Sequence, residues 1–143
     1  MPHLVLYYTP NLDAHTDMTG LCRKLADTML NVRDEAGKQV FPTGGVRVLA
    51  YPAAHYAVAD GGAAGRAAGG SGEYGFLYLN LRMGRGRSGE VQQAAGRALE
   101  ATAMEHLAPA MAALPVGVTL QIDVGPEVFD AKNSSLHPLF KKS

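Results

Sequence analysis

Gly75-Phe-Leu-Tyr-Leu-Asn-Leu-Arg-Met83 is the stretch that decides the fold, because apolar side chains occupy every second position along it. Successive side chains of a strand point to opposite faces, so this segment predicts a strand with one wholly apolar face. Ser88 can then cap a helix that runs to about Leu107, and residues 117–124 return as a strand. The stretch therefore predicts a β-α-β unit.

The first half of the chain has the same order. Residues 3–9 are rich in strand formers and end at a turn. Apolar residues between 17 and 33 recur at the spacings of an amphipathic helix, and residues 45–51 form another strand. We therefore expect an α+β fold with a single domain over residues 1–143. Two tandem β-α-β units, about 2–57 and 74–124, form a four-stranded sheet with two helices on one face, since such crossovers are right-handed.

The other face of the predicted sheet is too apolar to remain in water. It carries Phe76, Tyr78, Leu49, Tyr51, Val5 and Tyr7 beside Arg47, Asn80 and Arg82. Symmetric self-association is the simplest way to cover it. The apolar residues of 128–140 have no periodic element of their own, so we expect this run to pack across a neighbouring subunit, with its own subunit as the alternative.

Residues 59–72 join the two halves and are mostly glycine and alanine. Such a composition has little to bury, so we expect a flexible loop. A lid that acts through Arg66 is the functional alternative.

The composition narrows the function. The 13 basic and 13 acidic side chains cancel, so no overall field favours nucleic acid or an anionic membrane. The single cysteine, Cys22, cannot form an internal disulfide and is spaced like a packed apolar residue. No apolar run approaches the roughly 18–20 residues of a membrane span, and no signal peptide is evident. We expect a cytoplasmic protein.

Pro2 is the first candidate for chemistry. A proline in second position allows removal of Met1, which leaves a secondary amine with little rotational freedom. An ordinary α-amino group has a pKa of about 7.7–8.0. Desolvation and nearby guanidinium groups would lower that pKa and give a base near neutral pH. The plain alternative is a Met-Pro start without function, and a retained Met1 would make the nitrogen a non-basic amide.

Arginines supply candidate anion-binding groups. Arg47 lies within an apolar strand, where its guanidinium can bind a carboxylate bidentately; a solvated edge-strand charge is the alternative. Gly84-Arg85-Gly86-Arg87-Ser88 joins a strand to a helix start, so backbone amides and two guanidiniums converge there. This is a candidate anion pocket, although a basic turn would look the same.

Metal chemistry has no support in the sequence. The five histidines lack the spacings of zinc motifs, and neither a nucleophile elbow nor a paired-carboxylate motif is present.

Four short motifs occur in a specific order along the two units. They are Pro2-His3, Gly45-Val46-Arg47, Gly86-Arg87-Ser88 and the run Ser134-Ser-Leu-His-Pro-Leu-Phe140. With them the chain resembles, over nearly its whole length, the 5-carboxymethyl-2-hydroxymuconate isomerases of the tautomerase superfamily.

The resemblance implies a homotrimer without a cofactor, in which Pro2 is base and then acid. The substrate would be an anionic dienol with several carboxylates, from bacterial breakdown of homoprotocatechuate. Arg47 and Arg87 would hold carboxylates and polarise the developing oxo group, with Arg85 as a lesser candidate.

Some positions depart from the family pattern. Tyr7, which we expect with Tyr78 to contact substrate, stands where relatives tend to carry an acidic residue. Residues 33–40 and 59–72 form longer connections. Another tautomerase activity on a different oxo-acid, such as a phenylpyruvate-type tautomerase or a hydrating dehalogenase, and a non-catalytic trimeric binding protein therefore remain as alternatives.

Overall fold

The computed structural model describes residues 2–140 and contains four strands and three α-helices in this part of the chain. In chain order they are β1 (His3–Tyr8), α1 (Met18–Leu30), β2 (Arg47–Pro52), α2 (Ala63–Ala67), β3 (Gly75–Met83), α3 (Gly89–Ala113) and β4 (Val116–Val124). Short 3₁₀ turns occupy Pro10–Ala14, Thr43–Gly45 and His137–Phe140.

The strands form one mixed sheet in the order β2-β1-β3-β4. β1 is parallel to β2, β3 is parallel to β4, and the central pair β1 and β3 is antiparallel. Each half of the chain is thus a β-α-β unit, as the sequence predicted. The starts of β1 and β2 and the ends of β3 and β4 lie at the same end of the sheet, along the strand direction. We name this end the Pro2 edge.

The core lies between the sheet and the two long helices. Leu4 and Leu6 of β1 and the leucines of β3 are fully buried, whereas the residues between them are not. Helix α1 contributes Leu21, Leu25 and Met29, and α3 contributes Leu99, Ala103 and Leu107. The alternation seen in the sequence therefore selects the face that the helices cover.

The opposite sheet face is uncovered in the single chain. Tyr7, Leu49 and Tyr51 expose about half of their surface there, at 53%, 49% and 48%. The rings of Tyr7 and Tyr78 stack with centroids 6.4 Å apart. The predicted composition of this face is confirmed.

The long helices differ from the prediction mainly at their ends. Asp17 caps α1, accepting a hydrogen bond from the Gly20 amide at 3.0 Å. Helix α3 continues past the expected end near Leu107 and includes Pro109. Ala110 and Leu114 remain buried beyond that proline, so continued packing explains the greater length.

Residues 59–72 are more structured than the sequence predicted. The Asp60 carboxylate accepts hydrogen bonds from the Gly62 and Ala64 amides, both at 2.9 Å, where α2 begins. The Tyr74 hydroxyl accepts one from the Gly65 amide, also at 2.9 Å. Hydrogen bonds with Ala64, Tyr74 and Gly62 lower the pKa of Asp60. The segment predicted as a flexible loop thus contains a short helix. The side chains of Asp60 and Tyr74 hold it through hydrogen bonds to backbone amides, without a buried apolar residue.

The carboxyl-terminal run lies partly on its own chain. A Cβ at Gly44 would come within 3.0 Å of His137 Nδ1 and 3.1 Å of Phe140 Cδ2, so the last turn packs closely on Thr43–Gly45. Val128 and Phe129 are almost fully exposed. Of the two placements considered for this run, the structure shows the own-chain one for His137–Phe140.

Within residues 2–140, no helix has the length and apolar character needed to cross a membrane.

Candidate active site

The strand directions bring some of the predicted site residues to the Pro2 edge. Pro2 is buried and directly precedes β1. His3 pairs with Arg47 across the parallel β1–β2 ladder and with Arg82 across the antiparallel β1–β3 ladder. Pro2, which adjoins His3, therefore lies near the start of β2 and the end of β3.

Arg47 is the first residue of β2, and its side chain is half-buried. Its Nη1 donates a hydrogen bond to the Gly44 carbonyl at 2.6 Å. A guanidinium has five N–H groups, so one bond to a neutral carbonyl leaves most of its donors and all of its charge for a ligand.

Arg87 lies between β3 and α3 and is held on three sides. Its Nη1 donates to the Gly84 carbonyl and its Nη2 to the Val40 carbonyl, both at 3.3 Å. Its Cζ lies 5.2 Å from the ring centroid of Phe41, which is fully buried. This distance is that of a cation–π contact. The guanidinium is therefore fixed by neutral groups.

The turn before α3 combines a left-handed glycine with a capped helix start. Gly86 has a φ of +107°, a conformation that glycine adopts without strain. Ser88 caps α3 by accepting a hydrogen bond from the Val91 amide at 3.2 Å. Arg87 thus lies at the positive end of a long helix, where an anion is favoured.

Arg85 is placed differently from Arg87. Its side chain is exposed, and its Nε donates to the Gly125 carbonyl, beyond β4, at 3.4 Å. The structure therefore brings Arg47 and Arg87 to a common segment, residues 40–44. Arg85 instead contacts Gly125, which follows β4.

Tyr7 and Tyr78 lie away from Pro2 in the single chain. Tyr7 is five positions beyond Pro2, which is about 16 Å along a strand. It pairs with Tyr78, whose hydroxyl donates to Gln121 Oε1 at 2.9 Å. Both belong to the uncovered face, so a role for them toward substrate stays a prediction.

The pKa of His3 is lowered at the Pro2 edge. Partial burial lowers its pKa first, and the Arg47 guanidinium lowers it further, while Asp130 acts in the opposite direction. A protonated His3 is thus disfavoured beside the arginines.

Neither Arg47 nor Arg87 forms a salt bridge with a carboxylate of residues 2–140. Within residues 2–140 the salt bridges are Arg23 with Asp27 and Lys132 with Asp130. Arg47 and Arg87 instead bind carbonyl oxygens. The same residues contain no cluster of three or more His, Cys, Asp or Glu side chains that could hold a metal ion.

A concavity of the single chain lies away from these residues. Its volume is ≈ 620 Å³, and its lining includes Tyr74, Pro115 and Val116 at the opposite end of the sheet from Pro2. Neither Arg47 nor Arg87 lines it. Cavity size alone therefore does not identify the site.

The segment that contacts both arginines, residues 40–44, has no motif by which its role could be predicted. Val40 and Gly44 take part through backbone carbonyls, which carry no sequence signature. Phe41, an aromatic residue at the end of a polar connection, was the one available signal.

The fold defines the structural class of the protein. A four-stranded mixed sheet built from two β-α-β units is the tautomerase-like α+β architecture.

Comparisons with known proteins specify the family. The model of the 5-carboxymethyl-2-hydroxymuconate isomerase family matches residues 2–140, and the chain belongs to that family. A 5-carboxymethyl-2-hydroxymuconate Delta-isomerase of Escherichia coli is 26% identical over 141 residues, which cover 99% of this chain and 100% of that protein.

Two solved structures agree with this assignment. The crystal structure of a 5-carboxymethyl-2-hydroxymuconate delta-isomerase is 63% identical, with a TM-score of 0.97, and the match covers 100% of this chain and 95% of the other. A 5-carboxymethyl-2-hydroxymuconate isomerase from Deinococcus radiodurans R1 is 32% identical, with a TM-score of 0.80 and coverage of 99% and 95%. The chain is therefore an isomerase of a family that acts in aromatic catabolism.

Proposed function

We propose that this isomerase moves a proton within 5-carboxymethyl-2-hydroxymuconate or a closely similar anionic dienol, without a cofactor. The secondary amine of Pro2 takes the proton from the substrate hydroxyl and returns it to a carbon of the same molecule. The product is the conjugated keto isomer, and its formula is that of the substrate. This chemistry needs a base near neutral pH and stabilisation of the negative charge that spreads over the intermediate.

The proposal rests on one observation, which is how the side chains of Arg47 and Arg87 are held. Arg47 and Arg87 are held by carbonyls and an aromatic ring at the edge where the chain begins, with their charge unmatched by a described protein carboxylate. Both arginines are half-buried, and a guanidinium binds a carboxylate through charge-assisted, bidentate hydrogen bonds. A substrate carboxylate at each guanidinium would bring the dienol to Pro2.

We also propose that the working form is a homotrimer. The uncovered sheet face exposes Tyr7, Leu49 and Tyr51. A contiguous apolar surface of this kind is typical of a subunit interface. Neighbouring subunits would cover this face and would give Tyr7 and Tyr78 a place near a substrate pocket.

Activity of the processed protein tests the reaction. Protein without Met1 should convert the dienol, with ultraviolet absorbance as the readout. Pro2→Ala should lower kcat/KM by about 10²-fold or more, because a constrained secondary amine becomes a mobile primary one. A Pro2→Ala protein with full activity would remove Pro2 from the mechanism.

Light scattering tests the assembly. We expect a mass about three times that of the chain at micromolar concentration. A stable monomer under these conditions would refute the trimer.

A further inference from the structure

One short segment contacts both candidate anion-binding arginines. We name residues Gln39–Gly44 the bridge segment. Near its start the Val40 carbonyl accepts a hydrogen bond from Arg87 Nη2 at 3.3 Å, and at its end the Gly44 carbonyl accepts one from Arg47 Nη1 at 2.6 Å. The backbone between Val40 and Gly44 thus connects the two guanidiniums through one hydrogen bond each.

Packing holds the bridge segment at two of its residues, Phe41 and Gly44. The Phe41 ring is fully buried and lies under the Arg87 guanidinium, with 5.2 Å from its centroid to Cζ. At the other end, His137 and Phe140 press on Gly44 so closely that a Cβ there would crowd them. Between these contacts the backbone has no helix or strand to hold it until Thr43.

Gln39 holds the middle of the bridge segment. Its side-chain Nε2 donates to the Phe41 carbonyl at 2.8 Å and to Thr43 Oγ1 at 3.1 Å. The segment therefore wraps around one amide group. Gln39 is itself exposed and is not a member of the core.

We propose that Gln39 is a positioning residue that sets the separation of Arg47 and Arg87 for a substrate with two carboxylates. This inference rests on the proposed function, which makes the two arginines carboxylate ligands. A ligand with one carboxylate needs only one guanidinium in place and does not depend on the separation. Gln39 thus determines the preference for dicarboxylates over monocarboxylates.

The test replaces Gln39 with methionine, which has a similar length, no charge and no donor. Gln93→Met is the matched control, because Gln93 is exposed on α3 away from the bridge segment. The substrates are 2-hydroxymuconate, a dicarboxylate, and the enol of phenylpyruvate, a monocarboxylate. Steady-state kinetics gives kcat and KM for each, and thermal melting reports stability.

For Gln39→Met we expect KM for 2-hydroxymuconate to rise about five-fold, as for the loss of one to two hydrogen bonds. The KM for phenylpyruvate enol should change by less than about two-fold, and the melting temperature should match that of Gln93→Met. Equal loss on both substrates, or no loss on either, would overturn the positioning role.

Binding of unreactive ligands separates this inference from the reaction itself. Muconate and sorbate are dienes with two carboxylates and one, and neither has a hydroxyl group to ketonise. Calorimetry should show a preference for muconate that Gln39→Met removes. If this holds in a protein that converts no dienol, the proposed reaction fails and the positioning role stands. A wild-type protein that binds both ligands equally would overturn the positioning role.

Discussion

Replacing Arg87 by lysine or alanine separates charge from geometry at the candidate site. Lysine keeps the positive charge but loses the planar fork that binds a carboxylate bidentately, and alanine loses both. The present partners of Arg87 are two carbonyls at 3.3 Å and the Phe41 ring at 5.2 Å. Both variants keep these partner groups in place. A change in activity therefore reports the loss of the Arg87 guanidinium itself.

The expected losses of activity and of stability can be worked out from the contacts of Arg87. A charge-assisted bond to a substrate carboxylate is worth about 1.5–3 kcal/mol, so Arg87→Ala should lower kcat/KM by about 10- to 150-fold. Arg87→Lys should lie between this variant and the wild type. The long carbonyl bonds and the cation–π contact together stabilise the fold by about 1–2 kcal/mol. Arg87→Ala should therefore lower Tm by only about 3–8 °C.

The assay is ketonisation of the dienol, followed by ultraviolet absorbance at a temperature where every variant is folded. Arg97→Lys and Arg97→Ala are the matched controls, since Arg97 is exposed on α3. Both should retain wild-type activity. Wild-type kcat/KM in Arg87→Ala would refute the role of Arg87 as a carboxylate ligand, and wild-type kcat/KM in Arg87→Lys would refute bidentate binding.

Three further outcomes test parts of the fold away from the site. Gly75→Ala should lower the free energy of unfolding by about 1–3 kcal/mol, because its Cβ would lie 2.6 Å from Cδ2 of the fully buried Leu12. Chemical denaturation measures the change, and Gly89→Ala is the neutral control, because a Cβ at Gly89 has no other heavy atom within 4 Å. Equal stability of the two variants would contradict the packing. Asp60→Ala should speed hydrogen exchange at residues 62–65. Because the pKa of Asp60 is lowered in the fold, its stabilisation is present above the ordinary carboxyl pKa and is lost as pH falls through the folded value; protection that is independent of Asp60 would refute the anchor. Burial raises the pKa of the Cys22 thiol, so alkylation at pH 8 should be slower than that of free cysteine, and a faster reaction would show the thiol to be unshielded.

Much of the architecture was predictable because it follows from local patterns. The alternation over Gly75–Met83 gave β3 with the bounds seen in the structure. The same alternation identified the buried face of the sheet and the uncovered one. Strand directions then follow from the β-α-β connections, which place Pro2 and Arg47 at one edge.

The remaining features depend on contacts between distant residues. The order in residues 59–72 rests on Asp60 and Tyr74, two polar side chains in a stretch whose composition otherwise predicts a flexible loop. The bridge segment acts through the carbonyls of Val40 and Gly44, and any residue supplies a carbonyl. No periodicity or motif reports such contacts, so the sequence could not predict them.

The state of the chain start tests the central claim most directly. Two preparations of the same protein, one with Met1 and one beginning at Pro2, are distinguished by mass spectrometry and assayed side by side on the dienol. An amide nitrogen cannot accept the proton, so the form with Met1 should be slower by about 10²- to 10⁴-fold. Equal rates for the two forms would contradict the assignment of Pro2 as the base.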